Sequence, residues 1–211
     1  MKGYVDRYFF AALPDPATAE RIGRLAARLR VRYGLNGKLQ APERLHVTLC
    51  PVPFGLPPSI MAALREAAEH TEMQPFTVMF DHVMSFKGAS GNRPLVLCEG
   101  EGTDGLHFLH EAVGKVMAKA GLHHTQVPRN FHPHVTLLYG DHDLPKQAVE
   151  PISWKVEKLT LIHSLQGLAI HRRVAEWPLR GSLPTMSRSG ESGSLPSEAD
   201  DLTGNKTRDD E

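Results

Sequence analysis

The sequence predicts an α+β fold in two similar halves, in which a sheet from each half lines a shared cleft. Three observations predict it. Strand-like and helix-like segments alternate along the 211 residues. The string His-Val-Thr-Leu occurs twice, at 46–49 and 134–137, each time in a strand-like segment. The composition changes abruptly after Arg180, so the fold is expected to occupy residues 1–181 in two pseudo-symmetric lobes.

The first half is expected to contain a strand, a helix, a second strand and a second helix. The apolar run 7–13 forms the first strand, and Asp15 followed by Pro16 begins a helix that ends near Gly34. Residues 45–52 form the next strand, and the second amphipathic helix follows Pro58. One face of the first helix is basic and is interpreted as solvated; its residues are Arg21, Arg24, Arg28 and Arg32.

The second half continues this alternation. Its expected elements are strands at 76–86 and 95–98, a helix from 104 to about 121, a strand at 131–139, and a terminal hairpin of 154–164 with 168–179. Residues 182–211 are rich in Ser, Gly, Asp and Glu and nearly free of aromatic residues. Such a segment buries too little apolar area to offset the entropy of ordering, so a disordered tail is predicted.

Composition and charge restrict the class of protein. The hydrophobic fraction of 41% is enough for a real core. The 24 basic and 24 acidic residues balance, which argues against a protein that coats nucleic acid non-specifically. The two cysteines, Cys50 and Cys98, form no CxxC pair and are expected to be reduced thiols. No signal peptide or long apolar segment is visible, so we expect a cytoplasmic monomer without a membrane partner.

The repeated string brings together groups that suit phosphoryl chemistry. Side chains two apart in a strand share a face, so His46 and Thr48 project together, as do His134 and Thr136, with Val and Leu packed behind them. A neutral imidazole takes a proton from water while a protonated one gives a proton to the leaving oxygen. Threonine hydroxyls donate to the phosphate oxygens. The two histidines are therefore the candidate catalytic residues, the two threonines are the candidate phosphate-binding residues, and no metal or cofactor is required.

The segments RYFFAALPD, ERLHVTL and FHPHVTLLYG resemble those of the two-histidine (2H) phosphoesterase superfamily, in the branch of 2′-5′ RNA ligase-like proteins and RNA 2′,3′-cyclic phosphodiesterases. The resemblance extends from about Arg7 to Arg180. It implies the LigT-like fold, which is bilobal, with duplicated βα units and two antiparallel-type sheets around a cleft. It also implies metal-independent cleavage of a 2′,3′-cyclic phosphate to a 2′-phosphomonoester, with 2′-5′ RNA ligation in reverse. On this analogy His46 is the acid and His134 is the base.

The second motif departs from the branch in one respect. Many members carry an arginine shortly after it, whereas this chain has Leu138-Tyr139-Gly140. Arg129 is a candidate to contact the phosphate in its place. Tyr139, Tyr8 and Phe10 are candidates to stack on a base, although buried strand aromatics are the ordinary interpretation of the last two. The expected substrate is an RNA 3′ end or a small cyclic nucleotide.

Two alternatives remain open from the sequence. One is a nucleotide- or RNA-binding module of weak activity on the same fold. The other is a metal-dependent phosphohydrolase, because histidines cluster around the second motif. These are His123, His124, His132 and His142, and surface loop positions are the more economical interpretation of them. His163 and His171 of the terminal hairpin are expected to be structural or exposed.

Overall fold

The computed structural model describes residues 6–88, 92–99, 104–122, 130–165, 168 and 170–181. Three predictions lie outside these residues: the disordered tail at 182–211, the phosphate contact of Arg129 and the surface loop positions of His123 and His124. Within them, nine strands and three helices form a mixed α and β structure, with a short 3-10 turn at Pro42–Arg44.

The elements follow the expected alternation closely. The helices are α1 (Pro16–Arg32), α2 (Pro58–Glu69) and α3 (Gly105–Lys119). The strands are β1 (Asp6–Ala12), β2 (Lys38–Leu39), β3 (Val47–Val52), β4 (Phe76–Ser85), β5 (Arg93–Glu99), β6 (His134–Gly140), β7 (Gln147–Val156), β8 (Lys158–Leu165) and β9 (Ile170–Pro178).

The strands form one antiparallel sheet with a pseudo-two-fold order. Its path is β7-β4-β5-β6-β3-β1-β8-β9, and β2 pairs with β6 beside that path. Reversing the path exchanges β6 with β3 and β5 with β1. The units β1-α1-β3 and β5-α3-β6 therefore correspond, which confirms the predicted α+β fold with duplicated βα units.

The two halves of the sheet join through a short contact between β3 and β6. One registered pair, Val47 with Val135, links these strands. The two expected sheets are thus connected into a single nine-stranded sheet. Because a single pair connects them, the two strands can diverge on either side of it. The two motif strands are also the central strands of the sheet.

The core lies between the sheet and the helices. Ile22 of α1, Leu64 of α2 and Leu106 of α3 are fully buried against it. Asp15 caps α1, because its carboxylate accepts from the backbone N–H of Thr18 at 2.9 Å and from the Thr18 hydroxyl at 2.6 Å. No helix among the described residues has the length and apolar character needed to span a bilayer.

The chain crosses from one half of the sheet to the other at Glu157, which the prediction for 154–164 did not include. That segment was predicted as one strand, but β7 ends at Val156 and β8 begins at Lys158. β7 pairs with β4 at one edge, whereas β8 pairs with β1 in the other half. The buried apolar positions change phase at the break, from Trp154 and Val156 to Leu159 and Leu161. This phase change was the signal available in the sequence, and the prediction of one continuous strand overlooked it. The predicted hairpin of β8 with β9 is confirmed.

Candidate active site

The two motifs take equivalent positions on either side of the β3–β6 junction. In both, the residues alternate between half-buried His and Thr and fully buried Val and Leu. Because Val47 pairs with Val135 in antiparallel register, His46 is aligned with Thr136, and Thr48 with His134. The predicted same-face arrangement is therefore present, and all four side chains converge on one cavity.

This cavity has a volume of about 900 Å³ and contains all four motif side chains on its walls. Its other lining residues are Arg7, Tyr8, Phe9, Gln40, Arg44, Pro51, Val52, Phe54, Asn92, Tyr139, Ser164, Leu165 and His171. Two of these are arginines, and no carboxylate lines the cavity among the residues that the structure describes. The walls therefore favour an anionic ligand.

The backbone holds both imidazoles in the same tautomer. The Nδ1 atom of His46 lies 2.7 Å from the carbonyl oxygen of Arg44, and Nδ1 of His134 lies 2.7 Å from that of His132. A carbonyl oxygen only accepts, so Nδ1 carries the hydrogen in each ring. Each Nε2 is left to exchange a proton with a ligand.

The surroundings of the two rings differ. His46 stacks on Phe9 with ring centroids 4.8 Å apart and meets the edge of His171 at 5.2 Å. The Nη2 atom of Arg44 lies 3.5 Å from Nε2 of His171. His134 instead meets the edge of Phe86, with ring centroids 4.9 Å apart. Cationic and imidazole groups thus crowd His46 more than His134.

Burial lowers the pKa of both histidines. For His46 the pKa falls to about 4; the hydrogen bond to Arg44 opposes the shift, and His171, His134 and Arg44 lower the pKa further. The pKa of His134 is also lowered by burial, against the effect of its hydrogen bond to His132. The pKa of His171 falls to about 4 through burial and the charge of Arg44. In the unliganded protein His46 and His171 are therefore neutral at pH 7.

The aromatic residues that were candidates to stack on a base differ in their positions. Tyr8 and Tyr139 both line the cavity. Phe10 does not: it is completely buried in the core and contacts Trp177, so its proposed stacking on a base is wrong. The cavity is lined instead by its neighbour Phe9, because the strand turns Phe9 to the cleft and Phe10 to the core.

Sequence reasoning missed three basic cavity residues, Arg7, Arg44 and His171, of which Arg7 was placed only in the first strand. Arg44 lies only two positions before His46, and that closeness was the available signal. His171 was expected to be structural or exposed, yet β9 places it in the cavity beside His46. Its position depends on the register between β8 and β9, which a single sequence does not fix.

The histidine cluster around the second motif is dispersed among the described residues. His142 is buried rather than on a surface loop, and its Nδ1 is 2.9 Å from the hydroxyl oxygen of Ser85. His132 is exposed, while the ring of His134 faces the cavity. His123 and His124 lie outside the described residues. Within the part of the chain that the structure describes, no group of three or more His, Cys, Asp or Glu side chains is arranged to hold a metal ion.

Comparison with solved structures shows the same fold. The crystal structure of E. coli LigT complexed with 3′-AMP superposes with a TM-score of 0.64 at 24% sequence identity, covering 84% of this chain and 99% of that one. TT0787 of Thermus thermophilus gives a TM-score of 0.63 at 20% identity, covering 83% and 98%. Curated proteins gave no significant sequence match.

Sequence identities of 20–24% to these structures show the fold but not the family. The family is shown by a match to a family model. The model of the 2′-5′ RNA ligase superfamily matches residues 14–168, which is most of the chain and includes both motifs. This confirms the resemblance seen in the two His-Val-Thr-Leu segments. The chain therefore belongs to the 2′-5′ RNA ligase superfamily of two-histidine phosphoesterases.

Proposed function

We propose that the protein hydrolyses a 2′,3′-cyclic phosphodiester, at an RNA end or on a nucleotide, to a 2′-phosphomonoester without a metal. The observation that carries this proposal is the convergence of two identical His-x-Thr pairs on one cavity free of carboxylates among its described lining residues. Two imidazoles of the same tautomer, each with Nε2 free for a ligand, match a reaction that needs one base and one acid.

The reaction needs one proton to be removed and one to be supplied. The neutral imidazole takes a proton from water as the water oxygen bonds to phosphorus. The bond from phosphorus to the 3′-oxygen breaks, and the protonated imidazole gives its proton to that oxygen. Thr48 and Thr136 donate hydrogen bonds to the non-bridging oxygens, where charge increases in the transition state. The two imidazoles end with exchanged protonation states, and solvent restores them.

The surroundings of the rings support His46 as the base and His134 as the acid. Burial is the largest cause that disfavours the imidazolium form of His46, and His171 and Arg44 beside it add to this effect. No comparable basic pair adjoins His134 among the described residues. The group with the lower pKa is the one that is neutral when its partner is charged. This assignment is the reverse of the one implied by the family resemblance.

The substrate class is supported by the fold and by the charge of the cavity. E. coli LigT, which shares the fold, has been crystallised with 3′-AMP, with NADP+ and with ATP. A nucleotide phosphate is an anion, which suits walls that carry Arg7 and Arg44. If the hydroxyl of an RNA 5′ end replaces water as the nucleophile, the same groups join two ends through a 2′-5′ bond.

The test gives the purified protein a nucleoside 2′,3′-cyclic phosphate, with and without EDTA. We expect turnover that survives EDTA and falls by about 10²-fold or more in His46→Ala and in His134→Ala. His142→Ala is the control for loss of an imidazole outside the cavity, and it should retain turnover. Loss of activity with EDTA would indicate a metal-dependent enzyme. Nucleotide binding without turnover would indicate a binding module.

A further inference from the structure

One wall of the cavity contains a row of polar side chains that neither transfer a proton nor contact the reacting phosphate in the mechanism above. Arg7 of β1 pairs with Ser164 of β8, and Ser164 pairs with His171 of β9. Residues directly opposite each other on antiparallel strands point to the same face with Cβ atoms about 5 Å apart. A guanidinium, a hydroxyl and an imidazole thus form a row across three strands, and all three residues line the cavity.

Arg44 adds a second guanidinium to this row. Its Nη2 is 3.5 Å from Nε2 of His171, and since arginine only donates, Nε2 accepts and the imidazole holds the guanidinium in place. The Nε atom of Arg44 is buried with no hydrogen-bond partner among the described residues. A guanidinium in a cavity wall whose described lining residues include no carboxylate is a favourable partner for an anion.

The row lies next to the reacting groups and is separate from them. The ring of His171 is 5.2 Å from that of His46, and Phe9 contacts both rings. An anion held by Arg44 would therefore lie beside the phosphate held by the two motifs. Consecutive phosphates of an RNA strand are separated by one ribose, and proteins that follow single strands place basic groups along the backbone in this way.

We propose that Arg44, His171, Arg7 and Ser164 bind a second phosphate, on the 5′ side of the nucleotide whose cyclic phosphate reacts. This deepens the proposed function, on which it rests, because it makes an RNA end a better substrate than a cyclic mononucleoside. A terminal 5′-phosphate and an internucleotide phosphodiester share the chemistry that the row recognises, so both enter the experiment.

The first arm measures binding, so it does not depend on catalysis. Isothermal titration compares adenosine 3′-phosphate with adenosine 3′,5′-bisphosphate, which differ only in the 5′-phosphate. We expect the bisphosphate to bind about tenfold or more tightly, as for charge-assisted hydrogen bonds. Arg44→Met and His171→Gln should remove most of this preference. Arg28→Met, which removes an exposed charge on α1 away from the cavity, should retain it.

The second arm measures turnover of a cyclic mononucleoside and of a dinucleotide that ends in a cyclic phosphate. The dinucleotide is prepared with its normal diester and with a neutral methylphosphonate linkage. We expect the charged dinucleotide to have the higher kcat/KM by about tenfold, and this advantage to disappear in Arg44→Met. If the bisphosphate bound more tightly but the charged and neutral dinucleotides had equal kcat/KM, the ligand of the row would be a nucleotide 5′-phosphate. The proposed advantage of RNA ends as substrates would then be wrong.

The outcomes separate the two proposals. If cyclic phosphates are hydrolysed but neither the 5′-phosphate nor the diester charge improves binding or kcat/KM, the second phosphate site is wrong and the proposed function remains. If no cyclic phosphate is hydrolysed but the bisphosphate binds more tightly through Arg44, the proposed function is wrong and the site remains. If both Arg44→Met and His171→Gln kept the full preference for the second phosphate, other residues would be responsible for that preference. The proposed site would then be wrong.

Discussion

The two histidines belong to the same four-residue motif but have different neighbours, and these neighbours add to the effect of burial on the pKa values of the two rings. Both donate Nδ1–H to a backbone carbonyl two residues earlier. Only His46 adjoins the pair formed by Arg44 and His171. The near-symmetry of the sheet thus supplies two equivalent imidazoles, and residues outside the repeat make them unequal. Pattern reasoning found the histidines and threonines that line the cavity, whereas the groups that distinguish the two rings come from another strand and from a preceding turn.

The first prediction concerns the pH dependence of kcat/KM, which reports ionisations of the free enzyme. In the proposed mechanism the active form has one neutral and one protonated histidine, so we expect activity to be highest between the two pKa values. Because the pKa of His46 is lowered to about 4 and that of His134 is also lowered, this maximum should lie below pH 6.5. Bound phosphate stabilises imidazolium, so the maximum of kcat should lie at higher pH than that of kcat/KM. Steady-state rates from pH 4 to 9, roughly two units or more about the histidine pKa, measure both.

The single-histidine variants test which ring is the base. In the wild type, activity rises with pH as the base loses its proton and falls at higher pH as the acid loses its proton. A variant without the base should no longer show the rise, and a variant without the acid should no longer show the fall. We expect His46→Ala to lose the acidic limb and His134→Ala to lose the alkaline limb. The opposite pattern would restore the assignment implied by the family. A pH-independent wild-type rate would contradict acid–base catalysis by histidine altogether.

At the scale of elements, the short strand β2 positions the second motif through a very close backbone approach. Lys38 pairs with Tyr139 of β6, next to Gly37. Gly37 has a φ of 109°, and a Cβ at this position would overlap the carbonyl group of Tyr139. Tyr139 lines the cavity, so this glycine lets β2 hold the end of the motif strand. Strand β2 was not predicted, because two residues are too short for a periodic pattern.

The second prediction is that Gly37→Ala destabilises the protein by roughly 2–4 kcal/mol, from its unfavourable φ and the clash with backbone. Gly121→Ala is a suitable control, since Gly121 also has a positive φ, 81°, but no atom lies within 4 Å of an added Cβ. It should cost about 1 kcal/mol. Urea unfolding of both variants gives the comparison. If both variants lost the same free energy of unfolding, the close approach of β2 to β6 would not contribute to stability.

At the scale of the whole molecule, the duplicated order of strands explains why the fold was accessible from the sequence. The repeat of His-Val-Thr-Leu indicated two halves, and strand periodicity placed each copy in a buried strand. The sequence did not predict that the two halves share one sheet, because they are joined only by the pairing of Val47 with Val135. The partners of β7 and β8 on either side of Glu157 were not accessible either, because they are the distant strands β4 and β1.

The last prediction concerns where the folded unit ends, which the composition places at residue 181. Leu179 is buried and its N–H donates to the carbonyl oxygen of Glu157 at 2.8 Å. The carbonyl oxygen of Arg180 accepts from the N–H of Met73 at 3.0 Å. A variant that ends after Gly181 should therefore unfold at the same temperature as the full chain and keep its activity, since residues 182–211 are expected to bury no apolar surface.

A variant that ends after Pro178 provides the contrast. It loses the buried side chain of Leu179, at a cost of about 2 kcal/mol or more, together with both hydrogen bonds. For a domain of this size that cost lowers Tm by about 4 °C or more. Thermal unfolding of the two variants beside the full chain measures the difference. If the chain that ends after Gly181 were itself less stable, residues 182–211 would contribute to the fold, and the boundary predicted from composition would be wrong.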